Sequence, residues 1–343
     1  MKKKSDLTVY DIARLAGVST ATVSRVLNQN SGVNPQTVRK VNEVLTQNNF
    51  KPRWKAGGSK IIGMIPPDFD GTLAEPFCSQ VVSAVYDSLR KHGYSLSLLS
   101  QNMQKNNTFG RNTFGRNHQL SGIIILSTPN NYAFCEKMLA CSDEFPCVVI
   151  GKLTNDIPDR TSGFNHILAN DYAAGYQLAT LIARHNHRRI MIVTPYQGDV
   201  GHLHRMEGIT EALKNSGISS SELSFREFRE NLRQNGEQLA ADLACDTHKP
   251  DAIIFTQGSI CSGFVMGCQS MKLRIPDDFS VVTFADNNEF AFTNPPITTM
   301  NSPNEKLGER AVKALMAQLN QEHFRESGLI QHVFHNRHSI RTQ

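Results

Sequence analysis

Nowhere does this 343-residue chain hold a run approaching the ~20 consecutive apolar residues that a membrane helix needs. No membrane partner is therefore expected. The basic start, Met-Lys-Lys-Lys-Ser-Asp, leads into no apolar stretch beyond Leu7, so an export signal is not expected either. Cysteine supplies no framework. Cys78, Cys135, Cys141, Cys147, Cys245, Cys261 and Cys268 form no CxxC pair. They read as reduced, buried thiols of a cytosolic protein, not as a disulfide or metal set. The phosphate loop GxxxxGK[ST], the nucleophile elbow GxSxG and a post-strand GxGxxG are all missing. Ser, His and Asp make no local nucleophile pattern, so neither an enzyme nor a cofactor is implied. His185 with His187, and His202 with His204, lack a neighbouring carboxylate or Cys at ligand spacing, which argues against a metal.

The charge that is present is unevenly placed. Residues 1–60 carry eleven Lys and Arg against three acidic residues, a net +8; the whole chain stands at +5, so residues 61–343 stand at −3. A basic head on a slightly acidic body points to a polyanion partner for the head, with a solvated basic arm as the plainer alternative. An apolar fraction of 39% leaves ample material for folded cores in the rest.

Three short helices are legible in the head. Thr8 caps the first, with Asp11 completing a capping box, Ile12, Leu15 and Ala16 facing inward and Gly17 ending it. Ser19 caps the second, which points Val23, Val26 and Leu27 inward. Asn34 caps the third, Pro35 takes its first position, and Val38, Val41, Val44 and Leu45 make its apolar stripe. Only Gly17-Val-Ser19 separates the first two, a turn that suits a helix-turn-helix. The second helix then turns Thr20, Ala21, Ser24 and Arg25 outward. Short side chains with one long cation near a helix N-terminus suit entry into a DNA major groove. An unremarkable polar face on a three-helix cap would share the same spacing.

The run from Thr8 to Asn28, TVYDIARLAGVSTATVSRVLN, closely resembles the DNA-binding signature of the lactose/galactose repressor (LacI/GalR) family. The match continues through Val33-Asn-Pro35, Thr37, Arg39-Lys-Val41 and Asn49-Phe-Lys-Pro52. The resemblance implies base contacts from Thr20, Ala21 and Arg25, and phosphate or flanking contacts from Thr8, Tyr10, Ser19, Thr22, Ser24, Asn28 and Thr37. It also implies a hinge helix after the motif that wedges a Leu into the minor groove. Here residues 52–60 form only a short linker, with Gly57-Gly58, no Leu, and Trp54 as its one large apolar group. The hinge helix is thus expected to be truncated or absent, and Trp54 to pack against protein more than to enter DNA.

From Ile61 onward apolar runs alternate with helical patterns: Ile61–Pro66, Tyr94–Leu99, Gly122–Leu126, Cys147–Ile150, Arg189–Thr194, Ala252–Thr256 and Phe279–Phe284, with a helix over Pro76–His92 carrying Val81, Val82, Val85 and Leu89. The alternation predicts an α/β class with parallel sheets and ligands outside the strands' carboxyl ends. Asn170-Asp-Tyr-Ala-Ala-Gly175, His187-Arg-Arg-Ile190, Arg205 with Gly208, Ile275-Pro-Asp-Asp-Phe-Ser-Val-Val282, Pro295-Pro-Ile-Thr-Thr299 and Arg337-His-Ser339 resemble the same family. They imply a two-lobed, periplasmic-binding-protein-like sensor. The expected division is a helix-turn-helix domain over 1–51, a linker over 52–60 and a sensor over 61–343. Lobe 1 takes about 61–163 and 295–320, and lobe 2 about 164–294 and 321–343, so the chain crosses near Gly163, Asn294 and Gln321. The duplicated Asn107-Thr-Phe-Gly-Arg111 and Asn112-Thr-Phe-Gly-Arg116 read as an insertion in a surface helix.

The ligand positions depart from the family pattern. Gly258 and Ala285 stand where sugar- and purine-binding members carry Asp, while Arg205, Gln257, Ser259 and Asp286 remain, with Asn287 beside them. A cleft short of carboxylates suits a polyol poorly, and with Arg205 an anionic or less hydroxylated effector fits better. The alternative is that Arg205 is a structural salt bridge in a cleft that has lost its ligand. The expectation is a cytoplasmic transcription regulator, a repressor, that binds a near-palindromic double-stranded DNA operator as a homodimer under control of a small molecule. Enzyme and exported solute-binding protein are the competing classes, and an architectural DNA binder without ligand is a variant.

Overall fold

Runs of β-branched residues bounded by amphipathic helices organise the body, and capped short helices the head. The computed structural model describes residues 8–27, 33–48, 60–67, 72–100, 120–127, 131–140, 145–151, 165–196, 200–229, 232–285, 288–322 and 328–342. Asn28, Asp286, Asn287, Cys141, Gly163, Trp54 with nearly all of the linker, and the duplicated pentapeptide lie outside these residues.

In the head, α1 spans Val9–Ala16, α2 Thr20–Leu27 and α3 Pro35–Gln47. The capping box is present: the Thr8 N–H donates to Asp11 Oδ2 (2.9 Å) and the Asp11 N–H to the Thr8 hydroxyl (3.4 Å). Gly17 ends α1 in the left-handed region at φ 63°, where a side chain would be strained. Ile12, Ala13, Ala16, Val23, Val26 and Val41 form the buried core. Leu15 does not join it and stays 51% exposed. At about 100° per residue, Ile12, Ala13 and Ala16 define the inward stripe and Leu15 falls beyond its edge.

The body holds two sheets. The first has the order β2 (Ser95–Leu98), β1 (Ile61–Ile65), β3 (Gly122–Leu126), β4 (Cys147–Ile150), β5 (His166–Ile167), all parallel. Against it pack α4 (Pro76–Lys91) and α5 (Tyr132–Ala140), with a late helix, α10 (Asn304–Asn320). Val81, Val85 and Leu89 are buried as the spacing predicted, joined by Leu307, Ala311 and Leu315 of α10. The second sheet has the order β11 (Val333–His335), β10 (Thr298–Asn301), β9 (Ser280–Ala285), β8 (Ala252–Phe255), β6 (Ile190–Pro195), β7 (Leu223–Phe228), with β11 alone antiparallel. The pair α6 (Asp171–Arg184) and α7 (Val200–Asn215) supplies one of its cores, and α8 (Leu232–Cys245) and α9 (Gly258–Met271) the other.

Strand pairing moves the lobe boundaries from those expected. β5 still belongs to the first sheet, so the first crossing falls at Leu168–Asn170, not near Gly163. β10 pairs with β9, which puts the second crossing at Ser302–Pro303, not Asn294. Ile330 bridges Ala169 and packs in the first lobe's core, so the third crossing comes at Gln331–His332, well after Gln321. The family resemblance set the expected sites, but backbone pairing of β5, β10 and Ile330 carries the chain further before it changes lobes. Cys245 corrects another expectation: it is exposed, while Cys78, Cys135, Cys147, Cys261 and Cys268 are buried.

Each helix pair on the second sheet meets through glycine. A Cβ at Gly208 of α7 would run into the carbonyl of Tyr172 in α6, and one at Gly263 of α9 into that of Arg233 in α8. Gly217 (φ 75°) has nothing within 4 Å. Gly208→Ala is expected to destabilise the body by about 1–3 kcal/mol through overpacking, and Gly217→Ala by about 1–2 kcal/mol from backbone strain alone. Urea unfolding would then lower the midpoint for both variants. Only Gly208→Ala should also perturb the tyrosine near-ultraviolet signal, because Tyr172 and Tyr176 lie at its contact.

Candidate DNA-reading face and interlobe cleft

The core of the head leaves one side of α2 uncovered. Ala21, Ser24 and Arg25 are exposed, and Thr20 and Thr22 are half-buried. Ser19, at the cap, accepts the Thr22 N–H at 3.0 Å, and its hydroxyl lies 2.8 Å from that of Thr22. Thr8 at the start of α1 is exposed, Tyr10 is 77% exposed, and Thr37 on α3 is half-buried. All nine described residues expected at DNA thus keep solvent-facing surface. The backbone N–H groups at the start of α2 add the positive end of a helix. Hydroxyls, a guanidinium and that helix end can together bind phosphates, and Arg25 can fork onto a guanine edge.

The cleft side of the second lobe is built from strand ends. Tyr196 follows β6 and Arg229 follows β7, with the guanidinium 3.7 Å from the tyrosine ring centroid. Gln257, two residues beyond β8, is the N-cap of α9, in extended backbone and with no side-chain cap. Ser259 follows in the first turn, its Oγ buried without a hydrogen-bond partner. Gly258 between them is confined: a Cβ would lie 3.2 Å from the Phe284 carbonyl and 3.3 Å from the Phe290 ring. The missing carboxylate therefore goes with a tight packing of α9 against β9. Ala285, at the second such position, is buried.

Arg205 of α7 is fully engaged. Its Nε donates to Asp171 Oδ1 at 2.8 Å, one terminal nitrogen to the Thr256 carbonyl at 3.1 Å and the other to the Ser302 hydroxyl at 3.5 Å. The guanidinium also lies 4.6 Å from the Phe284 ring centroid. His332 Nε2 lies 3.1 Å from the same Asp171 oxygen, and its ring meets Phe284 edge-on. Burial alone would raise the Asp171 carboxyl, but the charge of Arg205 and the His332 contact outweigh it and hold the group below its ordinary 3.8. Arg205 and Asp171 thus form a largely buried salt bridge. Removing one partner of such a pair leaves a buried charge uncompensated, at a cost of about 3–5 kcal/mol.

Sequence reasoning quoted the segment containing Asp171 without assigning it a role, and it did not single out Ser302 or His332. Asp171 opens a helix three residues before a buried Ala, a pattern that capping alone explains. His332 carries no local signal, since its partners are 161 positions away at Asp171 and on another element. A cavity of about 340 Å³ was also missed; Gln80, Asn288, Asn301, Ser302, Asn304 and His335 are among its walls. Asn304 is almost wholly buried there and donates to Gln80 Oε1 at 3.2 Å. Among the described residues, no group of His, Cys, Asp and Glu could hold a metal ion, and no helix is long and apolar enough to cross a membrane.

Comparison with known proteins identifies both parts. Residues 8–53 match the family of bacterial regulatory proteins, lacI family, and residues 179–340 a periplasmic binding protein-like domain. The chain is 25% identical over 335 residues to a catabolite control protein A of Streptococcus mutans, covering 96% of both. It is 27% identical over 320 residues to a ribose operon repressor of Escherichia coli, covering 92% of this chain and 93% of that one. The lac repressor dimer bound to operator and the anti-inducer ONPF shares the fold, with a TM-score of 0.65 at 23% identity over 97% of this chain and 98% of that one.

A carboxyl held below its ordinary value stabilises the fold fully above that value, and the contribution is lost as pH falls through the folded one. Below about pH 4 the Asp171 pair should therefore weaken. Asp171→Asn should lower stability at neutral pH and flatten the acid limb of the stability curve. Urea titrations at a series of pH values check this; parallel curves for the two proteins would refute it.

Proposed function

We propose that this chain, with its lacI-family DNA-binding head joined to a periplasmic binding protein-like body, is a LacI-family regulator, a cytoplasmic repressor that binds a near-palindromic operator as a homodimer. The observation that carries the reading is the uncovered face of α2, with Ala21, Ser24 and Arg25 exposed on a helix whose other side is core. On this reading Thr20, Ala21 and Arg25 meet base edges, while Thr8, Tyr10, Ser19, Thr22, Ser24, Asn28 and Thr37 hold phosphates and flanking backbone. Two heads then occupy successive major grooves. The relatives it matches are transcription regulators, and the protein is a regulator, not an enzyme.

A small molecule entering between the lobes would alter their closure and so the spacing of the paired heads. Arg205, Gln257, Ser259 and Asp286 are its proposed contacts in the second lobe. Arg205 is already neutralised by Asp171, which weakens the case for an anionic effector. The same pairing, with Gly258 and Ala285 in place of carboxylates, favours a second reading in which the body binds no effector and the chain is a constitutive DNA binder. The short linker over 52–60 should leave minor-groove bending weak in either case.

Selection from random duplexes with the purified chain tests the DNA reading. A pseudo-palindrome should be enriched, and Arg25→Ala should lose roughly 1–3 kcal/mol on it and relax the choice of base at one position of each half-site. Weak, salt-sensitive binding without an enriched sequence would overturn the operator reading.

A further inference from the structure

We propose that Arg205 is the positioning residue of the interlobe hinge, tying together the three places where the chain changes lobes. The inference rests on the reading of the body as two lobes whose relative angle carries the regulatory signal. Each crossing delivers one group to the same cluster. Asp171 comes directly after the first crossing, Ser302 lies in the second, and His332 in the third. All three converge on one guanidinium or its counter-ion: Arg205 to Asp171 at 2.8 Å, Arg205 to Ser302 at 3.5 Å, and His332 to Asp171 at 3.1 Å.

The backbone joins the crossings in pairs, and among the described bonds none runs directly from the first to the second. The first and third crossings are bonded to each other, with the Asn170 N–H donating to the Ile330 carbonyl (2.9 Å) and the Ile330 N–H to the Leu168 carbonyl (2.8 Å). The second crossing has a different attachment, the Ser302 N–H donating to the Ala285 carbonyl within its own sheet (3.0 Å). The ladder of β10 with β11, which pairs Asn301 with Val333, joins the second crossing to the third. Among the described contacts, Arg205 joins Asp171 after the first crossing to Ser302 in the second. Its remaining anchors, the Thr256 carbonyl at the end of β8 and the Phe284 ring of β9, fix the guanidinium to the second lobe's rigid sheet. The contact to Ser302 is the longest arm, so it is the one that a change in lobe angle would make or lose first. A planar fork with fixed donors suits this task; a flexible ammonium does not.

Hydrogen exchange of the full chain without DNA tests the proposal. Arg205→Lys keeps a charge beside Asp171 and removes the fork. Exchange of the Asn170, Ser302 and Ile330 amides should rise together by about tenfold or more, as expected for losing charge-assisted hydrogen bonds. Ile209 and Leu213, deeper in the same helix, should keep their protection. Ser302→Ala, which removes only the long arm, should raise exchange at Ser302 while Asn170 and Ile330 stay protected. It supplies the test if Arg205→Lys fails to fold. Exchange that rises only along α7, or an unchanged Ser302 amide in both variants, overturns the proposal. Binding to the selected duplex is measured in parallel. A rise at the three crossings with unaltered duplex affinity upholds the hinge role and rejects the regulatory reading. Unchanged exchange rejects the hinge role whatever the affinity.

Discussion

A guanidinium buried where three strands of chain change lobes must be neutralised on the spot, and the Asp171–Arg205 pair does so. With side-chain exposures of only 12% and 14%, neither charge has much water to fall back on. The fold accordingly brings carboxylate, guanidinium and the His332 ring from three distant parts of the chain to one point. The chain segments that join the two sheets are thereby held together at that point. Tyr196, Arg229, Gln257 and Ser259 stand just beyond the carboxyl ends of β6, β7 and β8 in the second sheet.

The head follows a different economy. Its core is six small and medium side chains, Ile12, Ala13, Ala16, Val23, Val26 and Val41. So small a core gives little stability alone, and helix caps take a larger share: the Thr8–Asp11 box, Ser19 with Thr22, and Asn34 with Gln36. The capping hydroxyls lie at the exposed ends of the helices proposed to meet phosphates, so the devices that stabilise the head also furnish its polar surface. The apolar residues are spent inward, and the outer face of α2 is left to Ala21, Ser24 and Arg25.

Much of this was legible in the text of the chain because it is local. Caps, the Gly17 turn, the stripe of Val23 and Val26, and the long buried strands each depend on neighbours a few positions apart. Leu15 was misplaced because one helical step separates the edge of a stripe from its centre. The lobe boundaries moved because β5 and β10 are short and take their identity from partners in the sheet, not from their own composition. β7 alternates Leu223-Ser-Phe-Arg-Glu-Phe228 and was open to recognition as an edge strand. The hinge cluster was beyond reach of local pattern: Asp171, Arg205, Ser302 and His332 come together only when both sheets are formed. Gly258 and Ala285 were seen as departures from a family pattern, and the packing of α9 on β9 gives the first a steric reason.

On the proposed reading, two copies of the head read a two-fold DNA site. Hydroxyl-radical footprinting of the full chain on its selected duplex tests it most directly. Two equivalent protected blocks related by two-fold symmetry are expected, their centres about one helical turn apart or a multiple of it, without a strong hypersensitive kink between them. A single asymmetric block, or uniform protection that vanishes with modest salt, would contradict it.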